Sequence, residues 1–254
     1  MLDNRHRIRF PPLNAEDLQQ NEAFFYLEQD GEQRKIRFHD YDAIYAIPGL
    51  YEQLFYDRLR CDSPRKLADI LNIVVREAGD SMHHLRVLDL GAGNGMMGEE
   101  LQRHGVARLV GIDILPEAFA ACRRDRPGIY DGYYVEDMTR LGEARREEIR
   151  SWQFDAMTTV AALGFNDIPP RVFINAFNLV QDDGWICFNI KEQFLKASED
   201  SGFSRLIRAL ILSDVFDLSH MERYRHRLSI EGAPLYYFAV AGRKRGTIAS
   251  CMFD

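Results

Sequence analysis

Residues 87–95 read Val-Leu-Asp-Leu-Gly-Ala-Gly-Asn-Gly. An apolar strand containing one acid, Asp89, runs directly into a turn with glycine at alternate positions, and a helical stretch follows. Glycine lets backbone N–H groups approach a ligand closely, and the first turn of a helix favours anionic groups. The turn therefore predicts a small-molecule site, although an ordinary strand-to-helix turn can have the same spacing.

A second short strand, Val110-Gly111-Ile112-Asp113, ends in a carboxylate. An acid about 20 residues after such glycines can accept hydrogen bonds from both hydroxyls of a ribose. Asp113 is therefore the foremost candidate for a ligand contact. The alternative is that Asp113 caps the next helix, which Pro116 would begin.

A third strand ends in Val135-Glu136-Asp137-Met138. Asp137 is placed to accept the exocyclic amino group of an adenine, and Met138 to pack on the adenine ring. A helix-capping role for Asp137 is the alternative.

Strand-like runs alternate with helical ones from about residue 85, which indicates a parallel sheet with right-handed crossovers. The predicted strands are 86–90, 109–113, 132–137, 154–160 and 185–190, and the predicted helices are 98–104, 116–124, 142–149 and 170–180. The last strands, 221–230 and 235–241, predict an antiparallel hairpin at the sheet edge. In that hairpin, alternation places His226 on the polar face with Tyr224, which argues against a catalytic base there.

The first 80 residues have a different pattern. An Asp30-Gly31 turn predicts a hairpin of residues 24–29 and 32–38, and helical segments follow, the last with Ser63 as N-cap and Gly79 at its end. We therefore expect an N-terminal hairpin and helical lid at 1–80 and a ligand-binding domain at 81–254. The predicted fold class is α/β: a Rossmann-like, doubly wound, mostly parallel seven-stranded sheet with an antiparallel C-terminal edge hairpin.

Composition narrows the function. The chain has 254 residues, 32 Lys and Arg against 39 Asp and Glu, and a net charge of −7, which disfavours non-specific binding to nucleic acid. No apolar run approaches the roughly 20 residues that span a bilayer, and the N-terminus lacks a secretory signal, so we expect a cytoplasmic protein with no membrane partner. The four cysteines are far apart, which predicts reduced thiols and no metal site.

Taken together, these motifs resemble a class I S-adenosylmethionine-dependent methyltransferase of the small-molecule type. Asp89 with the following glycines is similar to the first motif of that family, Asp113 to its ribose-binding acid, and Asp137-Met138 to its adenine-contacting pair. Met96 occupies the place of the third glycine of a nicotinamide-binding turn. The resemblance implies S-adenosylmethionine as cofactor, and the implied contacts are Asp89, Gly91, Ala92, Gly93, Asn94, Gly95, Asp113, Ile114, Asp137, Met138, Val160 and Tyr41. Asp89 would lie near the methionine ammonium or, alternatively, would hold the glycine loop.

The resemblance also predicts where an acceptor meets the cofactor. The loop that follows the fourth strand, residues 160–170, lacks the Asn- or Asp-Pro-Pro-aromatic signature of many enzymes that methylate exocyclic amines, which puts adenine or glutamine N-methylation in doubt. A stretch with Tyr41, Tyr45 and Tyr51 resembles the lid of small-molecule methyltransferases, although core packing is the alternative. The candidate acceptor contacts are Tyr45, Gly164, Asn166 and Asn189.

The function expected from this resemblance is methyl transfer to an oxygen or nitrogen of a small molecule. A sulfonium methyl is already a strong electrophile, so a dedicated base is optional, and the sequence assigns no catalytic residue. The alternatives are methylation of RNA or protein, and a non-catalytic S-adenosylmethionine-binding module. The oligomeric state is unassigned.

Overall fold

The computed structural model describes residues 5–12, 23–29, 31–163, 168–195 and 202–249. Its N-terminal block, which comprises the described residues up to Asp62, contains a three-stranded antiparallel sheet in the order β1-β2-β3 and two short helices. These elements are β1 (Arg7–Arg9), β2 (Phe24–Gln29), β3 (Glu32–Arg37), α1 (Tyr41–Tyr45) and α2 (Leu50–Glu52), and a π-helical segment, Gln53–Arg58, continues α2. The predicted hairpin is present as β2 and β3, whereas β1 was not predicted. Asp30 of the predicted turn lies outside the described residues.

Helix α3 (Ser63–Glu77) leads from this block into a seven-stranded sheet. Along the chain the sheet and its helices are β4 (Arg86–Leu90), α4 (Met96–Arg103), β5 (Arg108–Asp113), α5 (Pro116–Asp125), β6 (Gly132–Val135), α6 (Glu143–Arg150), β7 (Ala156–Thr159), α7 (Pro170–Leu179), β8 (Trp185–Lys191), α8 (Gly202–Ile211), β9 (Phe216–Leu228) and β10 (Pro234–Lys244). The strand order is β6-β5-β4-β7-β8-β10-β9. The five strands from β6 to β8 are parallel, and the last two are antiparallel. The predicted fold class is confirmed.

Apolar layers cover both faces of this sheet. On one face, Phe173 and Phe177 of α7 and Leu206 of α8 pack with alternate residues of the central strands. On the other face, Leu67 and Leu71 of α3 pack with the strand residues whose side chains point to that face. Because α3 shares its core with the sheet, it belongs to the packing of the sheet, and the domain division at residue 80 stays a prediction.

Several boundaries differ from the predicted ones. The third strand of the domain, β6, ends at Val135 rather than at residue 137, and helix α8 was not predicted. Ser63 is not an N-cap, because it is the first residue of α3 and its hydroxyl bonds to residues of β9. Gly79 does lie past the helix end, with φ +78°.

The C-terminal hairpin contains a β-bulge that alternation did not predict. Arg225 pairs with Tyr236 and Arg227 pairs with Leu235, so His226 is an extra residue on β9. A bulge re-aims the side chains beside it. His226 and Arg227, although adjacent in sequence, are therefore both buried, at 5% and 6% exposure. The predicted polar-face position of His226 and Tyr224 is wrong.

No helix within the described ranges is long and apolar enough to cross a membrane.

Candidate active site

The glycine turn has the backbone that its sequence requires. Gly91, Gly93 and Gly95 have φ of +71°, +54° and +88°, in the left-handed region that side chains disfavour. The N–H groups of Gly91 and Ala92 donate to the Ile112 carbonyl at 2.8 and 3.1 Å. These bonds hold the turn against the carboxyl end of β5, beside Asp113.

The Asp113 carboxylate joins the turn to the next helix. Its Oδ2 accepts from the Gly93 N–H at 2.9 Å, and its Oδ1 accepts from the Leu115 N–H at 3.0 Å, just before α5. Burial raises the pKa of Asp113 above its ordinary value. Asp113 can therefore hold the start of α5 and also bind a ligand, because each of its oxygens retains a lone pair.

A large cleft of about 350 Å³ opens at this edge. It brings together most of the predicted cofactor contacts. Those that line it are Gly91, Asp113, Ile114, Asp137, Met138, Val160 and Tyr41. Asp137 also accepts from the N–H and hydroxyl of Thr139 at 2.8 and 2.7 Å, bonds that lower the pKa of its carboxyl.

A second space, which we call the aromatic cavity, lies between the turn and the C-terminal hairpin, and its volume is about 70 Å³. Its walls include Phe38, Tyr41, Tyr45, Tyr51, Phe55, Tyr56 and Tyr237, together with Asp89, Gly91, Ala92, Gly93, Asn94, Val160, Ala161, His226 and Arg227. Tyr41, Tyr45, Val160 and Ala161 also line the large cleft, so the two spaces share a wall.

Asp89 is buried between two hydroxyl groups. It accepts from Tyr130 at 2.7 Å and from Thr158 at 2.9 Å. Burial raises the pKa of Asp89 to about 7, against the opposing effect of these two bonds. Asp89 lines the aromatic cavity, so both interpretations that the sequence left open, an ammonium partner and a support for the turn, remain compatible with its position.

The N-terminal block closes over the turn. A Cβ at Gly93 would lie 2.5 Å from the Tyr45 hydroxyl, so that position has room only for glycine. Glu52 accepts from the Asn94 amide at 2.7 Å and from Arg126 at 2.8 Å. The block is thereby connected both to the turn and to the end of α5. Gly95 is likewise enclosed, because a Cβ added there would lie 3.1 Å from the Cys122 sulfur.

The loop after β7 is strained at its start. Ala161 has φ +58°, and its N–H donates to Oδ1 of Asn189 at 2.7 Å. Asn189 is fully buried, and its amide also donates to the Tyr224 hydroxyl at 2.7 Å. Asn189 was predicted as an acceptor contact, but it lies behind the cavity wall and supports Ala161. The candidates Gly164 and Asn166 lie outside the described residues.

Sequence reasoning missed other residues of the site. Glu136, which directly precedes Asp137 at a strand end, lines the large cleft, and the ligand-edge rule for parallel sheets was the available signal. Glu52 and Arg126 carried no local signal, because their contacts join segments 74 residues apart.

Comparison with known proteins agrees with this geometry. A family model described as "Methyltransferase domain" matches residues 88–188, which begin within β4 and end within β8. The match of residues 88–188, together with the fold, is consistent with a class I S-adenosylmethionine-dependent methyltransferase. The matched region contains the glycine turn, Asp113 and Asp137.

A curated relative and two solved structures resemble the chain. Methyltransferase-like protein 27 of Homo sapiens is 28% identical over 160 residues, which are 59% of this chain and 62% of that protein. N-methyltransferase NodS from Bradyrhizobium japonicum WM9, in complex with S-adenosyl-L-homocysteine, aligns with a TM-score of 0.55 at 14% identity, over 82% of this chain and 98% of that one. Magnesium protoporphyrin IX methyltransferase (ChlM) from Synechocystis PCC 6803, with bound SAM, aligns with a TM-score of 0.50 at 13% identity, over 71% of this chain and 79% of that one. At these identities the two structures show a common fold.

Proposed function

We propose that this chain transfers a methyl group from S-adenosylmethionine to an oxygen or nitrogen of a small-molecule acceptor. The observation that carries the proposal is the place of Asp113. Its half-buried carboxylate ends β5, bonds to Gly93 of the glycine turn and lines a cleft that adjoins the aromatic cavity. One site for a nucleoside and one for an acceptor are thereby adjacent.

The residues present fit S-adenosylmethionine. A Cβ at Gly91 would lie 3.1 Å from the Ala162 Cβ and 3.2 Å from Ile168 Cδ1, so the cradle needs glycine there. Asp113 offers lone pairs to the two ribose hydroxyls, and Asp137 with Met138 lines the same cleft, as an adenine would require. Asp89 in the aromatic cavity is the acid placed for the methionine ammonium.

When bound, S-adenosylmethionine supplies an electrophilic methyl group. The chain then needs chiefly to position the acceptor atom, and positioning alone can lower a barrier by about 7 kcal/mol or more. Val160 and Ala161 line both spaces and form the wall at which acceptor and cofactor would meet. The tyrosines of the N-terminal block exclude water from that wall.

A small acceptor suits the enclosure better than a macromolecule does. The aromatic cavity is covered by Tyr41, Tyr45 and Tyr51 of the N-terminal block, which favours a small acceptor at this position. The net charge of −7 also opposes the electrostatic attraction that nucleic acid relies on.

The test is a calorimetric and thermal-shift titration of the purified chain with S-adenosylmethionine, S-adenosyl-L-homocysteine and NAD, followed by a methyl-transfer assay on a broad metabolite panel. We expect the first two ligands, and not NAD, to bind and to raise the melting temperature, and at least one metabolite to be methylated. Binding without turnover on any metabolite would favour a non-catalytic module. Turnover on RNA or protein alone would show that the acceptor is a macromolecule and not a small molecule. A response only to NAD would contradict the cofactor.

A further inference from the structure

The bulge of β9 places two basic side chains in the wall of the aromatic cavity. Arg227 is 6% exposed, and its guanidinium makes one hydrogen bond, to the Leu228 carbonyl at 2.8 Å, and lies 5.4 Å from the centre of the Phe38 ring. Among the residues that the structure describes, no carboxylate lies within 4 Å of it. A buried guanidinium without a carboxylate partner is costly, and most of its N–H donors remain available to a ligand.

The proton on the neighbouring His226 can be assigned from a chain of hydrogen bonds. The Ala161 N–H is a donor, so the atom of Asn189 that faces it is the oxygen, and the Asn189 nitrogen therefore donates to the Tyr224 hydroxyl. The Tyr224 hydroxyl lies 2.7 Å from the Ser63 hydroxyl, which lies 2.6 Å from Nδ1 of His226.

Because the Asn189 nitrogen donates to the Tyr224 hydroxyl, the direction that gives both hydroxyl hydrogens a partner within this chain runs toward Nδ1 of His226, which also lies 3.9 Å from the Cys61 sulfur. Tyr224 donates to Ser63, and Ser63 donates to Nδ1 of His226. Burial and the charges of Arg227 and Lys191 lower the pKa of His226 well below its ordinary value, so the ring is neutral near pH 7. Its one proton then lies on Nε2, which has no hydrogen-bond partner among the described residues. His226 therefore offers a donor.

The position in the sheet separates these donors from the cofactor contacts. Asp113 and Asp137 follow β5 and β6, on one side of β4, whereas His226 and Arg227 are on β9, four strands away on the other side. At the usual strand spacing, four strands span roughly 19 Å. The donors therefore belong to the hairpin side of the aromatic cavity, whereas Asp113 and Asp137 line the large cleft and not that cavity.

We propose that the methyl acceptor carries an anionic group, a carboxylate or a phosphate, bound between Arg227 and His226 at the hairpin end of the aromatic cavity. Two independent donors and a positive charge converge there, and Phe38 and Tyr237 supply apolar walls for the body of the molecule. The inference rests on the proposed methyltransferase function, because it concerns the acceptor of that reaction.

A basic neighbour strengthens the preference for an anion. Burial and repulsion by the positive charge of Arg227 lower the pKa of Lys191 to about 8. A bound anion relieves that repulsion, whereas a neutral ligand leaves it in place.

The experiment uses the full chain saturated with S-adenosyl-L-homocysteine and three probes with the same body: benzoate, phenyl phosphate and benzamide. Calorimetry should show one or both anions binding at least tenfold more tightly than benzamide, and the anion that binds identifies the group. Arg227→Met should weaken anion binding at least tenfold, while Arg227→Lys should retain part of it. Arg225→Met removes the same charge two residues away at an exposed position and should change nothing.

The affinity for S-adenosyl-L-homocysteine, measured separately in each variant, distinguishes the possible failures. If it is unchanged, the variant is folded and the anion result can be read directly. The inference is overturned if neither anion binds, if benzamide binds equally well, or if Arg227→Met leaves anion binding intact. It is also overturned if Arg227→Met weakens the binding of S-adenosyl-L-homocysteine as much as the binding of the anion, because the arginine would then contact the cofactor. If the wild-type chain does not bind that ligand at all, the proposed function fails, and the inference falls with it.

Discussion

The backbone N–H of Gly93 donates to the Asp113 carboxylate at 2.9 Å, which joins two consecutive parallel strands at the edge where ligands bind. This bond makes the shape of the glycine turn depend on Asp113, the acid that ends the next strand. The strength of cofactor binding should therefore depend on both residues.

We expect Asp113→Asn to weaken S-adenosylmethionine binding by 10- to 100-fold, since hydrogen bonds to a charged group contribute about 1.5–3 kcal/mol. The matched control is Asp131→Asn, because Asp131 also accepts a strand N–H, that of Leu109 at 2.8 Å, but lies at the opposite end of the strands. Titration calorimetry of both variants measures the difference. Equal affinities in the two would remove Asp113 from the site.

We expect Gly93→Ala to lower the free energy of unfolding by more than the strain of a left-handed backbone alone would. Gly128 has φ +76° and open space around its Cβ position, so Gly128→Ala reports backbone strain alone, about 1–2 kcal/mol. Gly93→Ala adds a contact with the Tyr45 hydroxyl. Tyr45→Phe removes that hydroxyl, so the double variant should regain part of the loss in urea unfolding. Strict additivity of the two substitutions would mean that Tyr45 does not contact the turn in solution.

Asp89 should make stability depend on pH in an unusual direction. Its folded pKa of about 7 lies above its unfolded value near 3.9, so the folded chain binds the proton more tightly. The contribution of Asp89 to stability is therefore greatest at low pH, falls by up to about 4 kcal/mol as pH rises from about 4 to 7, and is constant above that.

The measurement compares the unfolding free energy of wild type and Asp89→Asn at pH 5 and pH 8. The low pKa of His226 acts in the opposite direction, reducing stability as pH falls below about 6.5, but it is common to both chains and cancels in the difference. A pH-independent difference between the two chains would show that Asp89 is not perturbed.

The ion-pair network at Arg126 should hold the N-terminal block closed. Arg126 donates to Glu52 at 2.8 Å and to Glu99 at 2.9 Å. Arg126→Gln removes the cation that pairs with Glu52 and leaves Glu99 paired with Arg103 alone, so we expect a loss of about 1–3 kcal/mol and faster amide hydrogen exchange in residues 50–58. Arg123→Gln, at an exposed position of the same helix, is the control. If both variants exchange equally slowly in that segment, the network does not govern closure.

The sequence alone was sufficient to predict features that depend on interactions between near neighbours along the chain. Strand-helix alternation from residue 85 predicted the parallel sheet, since side-chain periodicity reports which face is buried. The glycine spacing predicted a turn with positive φ because only glycine adopts that backbone freely. Asp113 was identified from its place at a strand end, and it does line the cleft.

The aromatic cavity depended on contacts that no local pattern contains. The residues of the chain Asn189, Tyr224, Ser63 and His226 meet across sequence separations of 35, 161 and 163 residues. Tyr224 and His226 share one face, as the period-two pattern predicts, but that face is buried because both side chains contact Ser63 of α3. The bulge at His226 also buries Arg227 beside it, which alternation places on the other face. Asn189 was predicted as an acceptor contact from its place near a strand end, whereas its hydrogen bonds go to Ala161 and to Tyr224 on another strand.

The amino-acid sequence by itself therefore determined the α/β fold, the glycine turn and the acids that follow successive parallel strands, because steric limits and hydrophobic periodicity act between near neighbours along the chain. Only the tertiary structure decided which side chains line the aromatic cavity. That outcome depends on the register of β9 against β10 and on the docking of the N-terminal block over the turn. Both are pairings of distant segments, which are set by the packing of the whole chain.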